Sequence, residues 1–230
     1  MFKPLLIAAG SAARLVSQTG QNLVYFLNAF RDQEKIQARI TELESRLLTF
    51  EESRRENERL QKLLDFRASL PAKGIAARVI GWDPSPWRKT LVLDKGKGQG
   101  IRKDMAVVVK EGLAGRILDA GPSASRALLL TDPDARVSAL ADQSRAQGVV
   151  SGNGTSGLNM IYLELESGAA VGEMVLTSGI GGVYPKGLAI GKITSLGRAS
   201  DGLHLEAHLE PFVKFSKLEE VLCLASSPEK

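Results

Sequence analysis

Gly112-Leu113-Ala114-Gly115-Arg116-Ile117 and Gly187-Leu188-Ala189-Ile190-Gly191-Lys192-Ile193 are two copies of one turn-and-strand, and they decide the fold. Each opens at a glycine, where a chain reverses without a Cβ clash, and continues in small and apolar residues that suit a buried strand. The stretches ahead of the copies also match: Asp94 leads through Gly100 and Met105 to the first, Glu166 through Gly172 and Met174 to the second. The match needs one insertion and predicts two small barrels of one plan.

Outward from these copies, short apolar runs alternate with turn residues. Strands are expected near Ile75 to Trp82, Thr90 to Asp94, Met105 to Lys110, Leu113 to Asp119, Arg126 to Thr131 and Arg136 to Asp142. A second set is expected near Gln147 to Ser151, Asn159 to Leu165, Met174 to Thr177, Leu188 to Ser195, Leu203 to Leu209 and Glu219 to Leu224. The 23 glycines and 9 prolines, many beyond Pro71, fit a chain that turns often. The fold class is therefore mainly β, with two six-stranded barrels at residues 74–143 and 144–225, divided near Ser144. Nothing local in the pattern prevents the barrels from exchanging a strand.

The stretch before Pro71 reads differently. Residues 33–67 contain neither glycine nor proline and are dense in Glu, Arg, Gln and Leu, a helix-forming composition. Ile36, Ile40, Leu43, Leu47 and Phe50 are spaced four, three, four and three, the apolar seam of a coiled coil. The same register then places Arg54, Asn57 and Gln61 on the seam, while a three-residue shift places Leu60 and Leu64 there, so a stammer is expected near Ser53 to Asn57. A single amphipathic helix lying on its own domain is the alternative reading. Such a helix would be about 50 Å long at about 1.5 Å per residue, longer than a small β-domain is wide. A second copy of the chain is the simplest cover, which makes those seven apolar residues the expected self-association site and the chain a homodimer or higher assembly.

Residues 1–32 are expected to form a membrane-proximal segment. The best uninterrupted apolar stretch, Leu5 to Ala9, is far below the roughly 20 residues of a spanning helix, and Arg14 interrupts the run beyond it. The expectation is a soluble chain or the continuation of an anchor.

Composition narrows the function. The 30 basic and 26 acidic residues are interspersed and leave a net charge of +4, so no nucleic-acid stripe is present, and 5% aromatics is too few for a base-stacking platform. The one cysteine, Cys223, sits in the apolar run Val221 to Leu224 and reads as core, which excludes a disulfide framework.

No motif for catalysis, cofactor or metal withstands inspection. His204, Glu206, His208 and Glu210 share one strand face, but His204 and His208 would lie roughly 13 Å apart, too far for one zinc ion. Ser178 is not in a Gly-x-Ser-x-Gly elbow. The glycine runs at 96–100, 154–157 and 187–194 read as turns rather than phosphate loops. Asp132-Pro133-Asp134 and Asp83-Pro84-Ser85-Pro86 carry too few oxygens for calcium and read as turn initiators. Trp82 and Trp87 read more naturally as barrel-closing core residues than as exposed contacts.

Several segments, in order, closely resemble the MreC family of rod-shape-determining proteins. They include Glu56-Asn57-Glu58-Arg59-Leu60-Gln61-Lys62-Leu63-Leu64-Asp65-Phe66, Ala77-Arg78-Val79-Ile80-Gly81, Leu130-Thr131-Asp132-Pro133 and Ser144-Arg145-Ala146-Gln147-Gly148. The stretch from Val175 to Leu188 and Phe215-Ser216-Lys217-Leu218-Glu219-Glu220-Val221-Leu222 are similar too. The resemblance implies a non-enzymatic scaffold on the periplasmic face of the bacterial inner membrane that organises lateral peptidoglycan synthesis and rod shape. It also implies self-association and contacts with MreB, MreD, RodZ and penicillin-binding peptidoglycan synthases. Two other classes compete with this reading. An enzyme, either a degenerate two-barrel serine protease or a wall hydrolase, is one, and the scarcity of histidine argues against the protease. A periplasmic adaptor of an export system is disfavoured because only one long helix precedes the barrels.

Overall fold

The computed structural model describes residues 37, 39–68, 74–83, 88–200 and 202–225. The expected membrane-proximal segment 1–32 and the seam residue Ile36 lie outside them. The chain divides into two compact units, Met1–Arg59 and Leu60–Lys230.

The helix α1 covers residues 39–68. Its exposed surface carries Arg39–Glu42, Glu42–Arg46 and Arg54–Glu58 pairs at helical spacing, each worth about 0.2–0.5 kcal/mol to a solvated helix. In its last turns Leu63 and Phe66 pack against the main apolar cluster of the second unit. Leu60 and Leu64, in the same turns, remain exposed.

Twelve strands follow: β1 (Ile75–Trp82), β2 (Thr90–Leu93), β3 (Ala106–Val109), β4 (Gly112–Ala120), β5 (Ser125–Leu129), β6 (Val137–Ala141), β7 (Gln147–Gly152), β8 (Leu158–Leu163), β9 (Met174–Thr177), β10 (Ala189–Arg198), β11 (Leu205–Pro211) and β12 (Glu220–Leu224). Every strand expected from the sequence forms, within a few residues of its expected limits. They close into two six-stranded barrels, ordered β1-β12-β3-β4-β5-β2 and β10-β11-β8-β7-β6-β9.

The division at Ser144 is corrected by this order. β6, expected to complete the first barrel, pairs with β7 and β9 in the second. β12, expected to complete the second, pairs with β1 and β3 in the first. Replacing β1–β5 by β7–β11 and β12 by β6 turns one strand order into the other, so the chain is a duplicated six-strand unit whose last strands are reciprocally exchanged.

Hydrogen bonds fix the correspondence residue by residue. Ile117 N–H donates to Met105 and Leu130 N–H to Ala114 in the first barrel, while Ile193 N–H donates to Glu173 and Phe212 N–H to Ile190 in the second. Gly115 therefore corresponds to Gly191, and the insertion required by the sequence match falls ahead of them, in the turn. Both glycines are forced by proximity. A Cβ would stand 2.0 Å from the Leu128 carbonyl oxygen at Gly115 and 2.4 Å from that of Glu210 at Gly191. Bulges fall at matching places as well, at Ala114 and Leu118 in β4 and at Ile190 and Thr194 in β10. Such bulges bend and twist a sheet enough to close it.

The exchange explains the two strands that show no polar alternation. All four residues of β3 are buried. Val107 and Val109 enter the core of the first barrel with Leu91, Ile117, Val221 and Cys223. Ala106 and Val108, with Leu222 and Leu224 of β12, join a second cluster continuous with the interior of the second barrel. A strand apolar on both faces is one covered on both faces. The barrels approach closely, since a Cβ on Gly112 would lie 2.2 Å from the Ala189 carbonyl oxygen. Burial pushes the Cys223 thiol up to about 12, so it stays protonated and inert as the sequence suggests.

Candidate functional site: the stem stripe and the outer face of the second barrel

On α1, Ile40, Leu43, Leu47 and Phe50 are 43%, 50%, 57% and 69% exposed. Spacings of three and four keep such residues on one side of a helix. The expected seam is therefore an apolar stripe that no part of its own unit covers among the described residues. Leu60 and Leu64 are exposed in the second unit.

On the barrels, the exposed large apolar side chains among the described residues are unevenly shared. The first barrel shows Ile80 and Trp82, whereas the second shows Tyr162, Leu165, Val171, Met174, Ile180 and Leu203. The arrangement around Tyr162 is built by the backbone. Between the pairs Leu163↔Leu205 and Met160↔Ala207, β8 carries two residues where β11 carries one. This bulge has no counterpart in the β2–β5 pairing of the first barrel. It holds Tyr162 at φ 64°, a conformation that costs an aromatic residue about 1–3 kcal/mol and that persists only where surrounding structure enforces it. The ring stands outside the barrel and meets His204 edge-on at 5.8 Å.

Tyr162, Ile180, Ser138, Gly148, Arg145 and Glu164 are among the residues that line a cleft of about 670 Å³ on the second barrel. The β6–β7 turn on which Arg145 rides is held by a buried carboxylate. Glu173, 5% exposed, accepts the N–H groups of Gln143 (2.6 Å), Ser144 and Ala170 (3.2 Å) and the Ser144 hydroxyl (2.9 Å). Burial alone would push its carboxyl up. The hydrogen bonds from Ser144, Ala170 and Gln143 outweigh burial and hold it below the usual glutamate value. Neither Tyr162 nor Glu173 stands out in the sequence, because a bulge and a turn clamp are made by residues distant along the chain.

The residues weighed from sequence are now placed. His208 Nδ1 meets Asn159 Oδ1 at 2.9 Å, and Asn159 donates to Glu206 at 2.9 Å, so the β11 face is a polar surface network. Ser178 is buried, and its hydroxyl accepts the Ile180 N–H at 3.2 Å, closing a turn. Asp132 is fully buried and accepts the N–H of Lys89 (2.6 Å) and of Asp134 (2.8 Å), as a turn initiator does. Trp82 departs from expectation. It is 47% exposed rather than core, at the last position of β1. Trp87 lies outside the described residues.

A helix with an apolar stripe exposed in its own unit, followed in sequence by two closed six-stranded barrels, defines a structural scaffold. The sequence matches the family of the rod shape-determining protein MreC, barrel core, over residues 79–225. It is 31% identical over 218 residues to the cell shape-determining protein MreC of Bacillus subtilis, covering 88% of this chain and 74% of that protein. A solved MreC structure from Listeria monocytogenes superposes with a TM-score of 0.64 at 30% identity, over 84% of this chain and 95% of that one. A complex of penicillin-binding protein PBP2 with MreC from Helicobacter pylori contains a chain of the same fold, TM-score 0.56 at 16% identity, over 67% of this chain and 98% of that one. The chain belongs to the MreC family, a family of cell-shape-determining structural proteins rather than enzymes. It spans between 46% and 75% of the length of the relatives compared.

Proposed function

We propose that this chain acts as a two-ended scaffold for lateral cell-wall synthesis on the periplasmic face of the inner membrane. The stem pairs copies through Ile36, Ile40, Leu43, Leu47 and Phe50, with Leu60 and Leu64 extending the contact. The double barrel presents the Tyr162 and Ile180 face to a penicillin-binding peptidoglycan synthase. MreB, MreD and RodZ complete the assembly by family resemblance. No helix among the described residues is long and apolar enough to cross a membrane, so the membrane-proximal part of this reading rests on resemblance. The PBP2 complex of the Helicobacter relative supports the choice of partner.

The observation that carries the pairing is the exposed stripe from Ile40 to Phe50. Burying each such side chain contributes about 1.5–3 kcal/mol before ordering costs. The double change Leu43→Asp and Leu47→Asp places like charges on facing positions of both chains. Sedimentation equilibrium should show a parent dimer and a variant whose dissociation constant is raised by at least about a hundredfold, with unchanged thermal unfolding of the barrels. A parent that is monomeric at every concentration, or a variant that pairs as well as the parent, removes the stem as the interface.

A further inference from the structure

The junction of the two barrels holds a second cleft that neither the stem nor the Tyr162 face uses. Its volume is about 550 Å³, within the range of preformed small-ligand sites. Trp82 from the end of β1 and Phe212 and Phe215 from the β11–β12 connection line it, three of the twelve aromatic residues of the chain (7 Phe, 2 Trp and 3 Tyr). Its walls are fixed by the fold. The Asp132 carboxylate holds the Lys89 backbone, and Phe212 N–H donates to the Ile190 carbonyl at 3.1 Å. The polar lining includes Lys89, Lys214, Glu210 and Ser156. Among the described residues, no ion pair joins Glu210 to either lysine.

We propose that this cleft binds a saccharide carrying a carboxylate. A pyranose ring has one face of C–H groups, which pack on an exposed indole, and a rim of hydroxyls, which need both donors and acceptors. Glu210 and Ser156 accept from such hydroxyls, and the lysines donate to them. Glu210, Lys214 and Ser156 are exposed and give the cleft a polar rim, which suits hydroxyls better than a wholly apolar ligand. Two lysines against one glutamate leave the cleft with an excess positive charge, which a sugar carboxylate complements. One small β-barrel, the OB-fold, binds oligosaccharides on its strands and loops. The site would give the head a direct hold on a polysaccharide, and it does not depend on stem pairing or on the Tyr162 face.

The test uses the full chain carrying Trp87→Phe, so that Trp82 is the only indole, and two probes of known composition. Chitotetraose is neutral, and a hyaluronan tetrasaccharide carries carboxylates. The expected result is a saturable change in Trp82 fluorescence with both, at least about tenfold tighter for the carboxylated sugar, as one charge-assisted contact provides. Calorimetry should show binding lost in Trp82→Ala, and the preference for hyaluronan lost in the Lys89→Gln and Lys214→Gln double variant, with thermal unfolding unchanged in both. Absence of a saturable response to either sugar overturns the proposal, as does full binding by Trp82→Ala. If neither sugar binds but Trp82→Ala weakens synthase binding, the cleft is a protein contact and the saccharide assignment is wrong.

Discussion

The two barrels share a strand order, paired bulges and a glycine at one corner, yet they diverge in what they show to solvent. The shared features lie where β4 and β10 turn across their neighbours, and they are what closure requires. The divergent ones lie elsewhere. Met105 corresponds to Glu173, one residue before the Met174 of the sequence match: the first barrel has a methionine buried among apolar residues where the second has a carboxylate that clamps the β6–β7 turn. The corresponding strands of the first barrel, β12 and β1, are not consecutive in sequence, so no turn joins them there. Where β2 pairs smoothly with β5, β8 bulges against β11 and holds Tyr162 outward. The two frames are equal and their surfaces are not.

The comparison breaks hardest if the exchanged strands are removed. Deleting the chain after Lys217 takes away β12, and with it Val221 and Cys223 from the first core and Leu222 and Leu224 from the shared cluster. Losing four buried apolar side chains at about 1.5–3 kcal/mol each removes about 6–12 kcal/mol, comparable with the whole stability of a typical domain. Circular dichroism and calorimetry should show both barrels lost together, in contrast to the intact chain, which should unfold in one transition. An intact second barrel in the truncated chain would show that the exchange does not couple the two.

A smaller and graded effect is expected at the matching glycines. Gly115→Ala and Gly191→Ala both drive a Cβ into a carbonyl of the neighbouring strand, closer at Gly115 than at Gly191. Each should lower stability by about 3 kcal/mol or more, the first exceeding the second. Urea unfolding measures the order. A milder effect at Gly115 would mean that the β4–β5 corner yields more readily than its counterpart.

The smallest effect separates Glu173 from Met105. Glu173 binds its proton more weakly folded than unfolded, so its contribution to stability is complete above the ordinary glutamate pKa of about 4.3 and is lost as pH falls through the lower folded value. Glu173→Gln should cost about 2 kcal/mol at neutral pH, because the amide cannot satisfy all the N–H groups that the carboxylate accepts. It should also flatten the pH dependence of stability in the acid range. Met105→Leu should change stability by less than about 1.5 kcal/mol, with no pH dependence of its own. Thermal unfolding from neutral to acid pH distinguishes them. An unchanged acid profile in Glu173→Gln would show that the clamp contributes nothing to stability.

Much of this was legible in the chain. The twelve strands were, because alternation, apolar runs and turn residues are local signals that side-chain burial and glycine or proline chemistry impose over a few residues. The α1 stripe was legible for the same reason, since spacings of three and four state which side of a helix is apolar. The duplication showed through Gly115 and Gly191, whose lack of a side chain is dictated by backbone contact. Which barrel receives β6 and β12 was decided only by tertiary structure. Val137 to Ala141 and Val221 to Leu224 are apolar strands that fit either barrel locally, and the choice is made by the distant outer faces of β3 and β4 that must also be covered. The same holds for Trp82, Tyr162 and Glu173. Their positions depend on a strand end, a bulge and a turn assembled from separated segments, and no window of neighbouring residues carries that information.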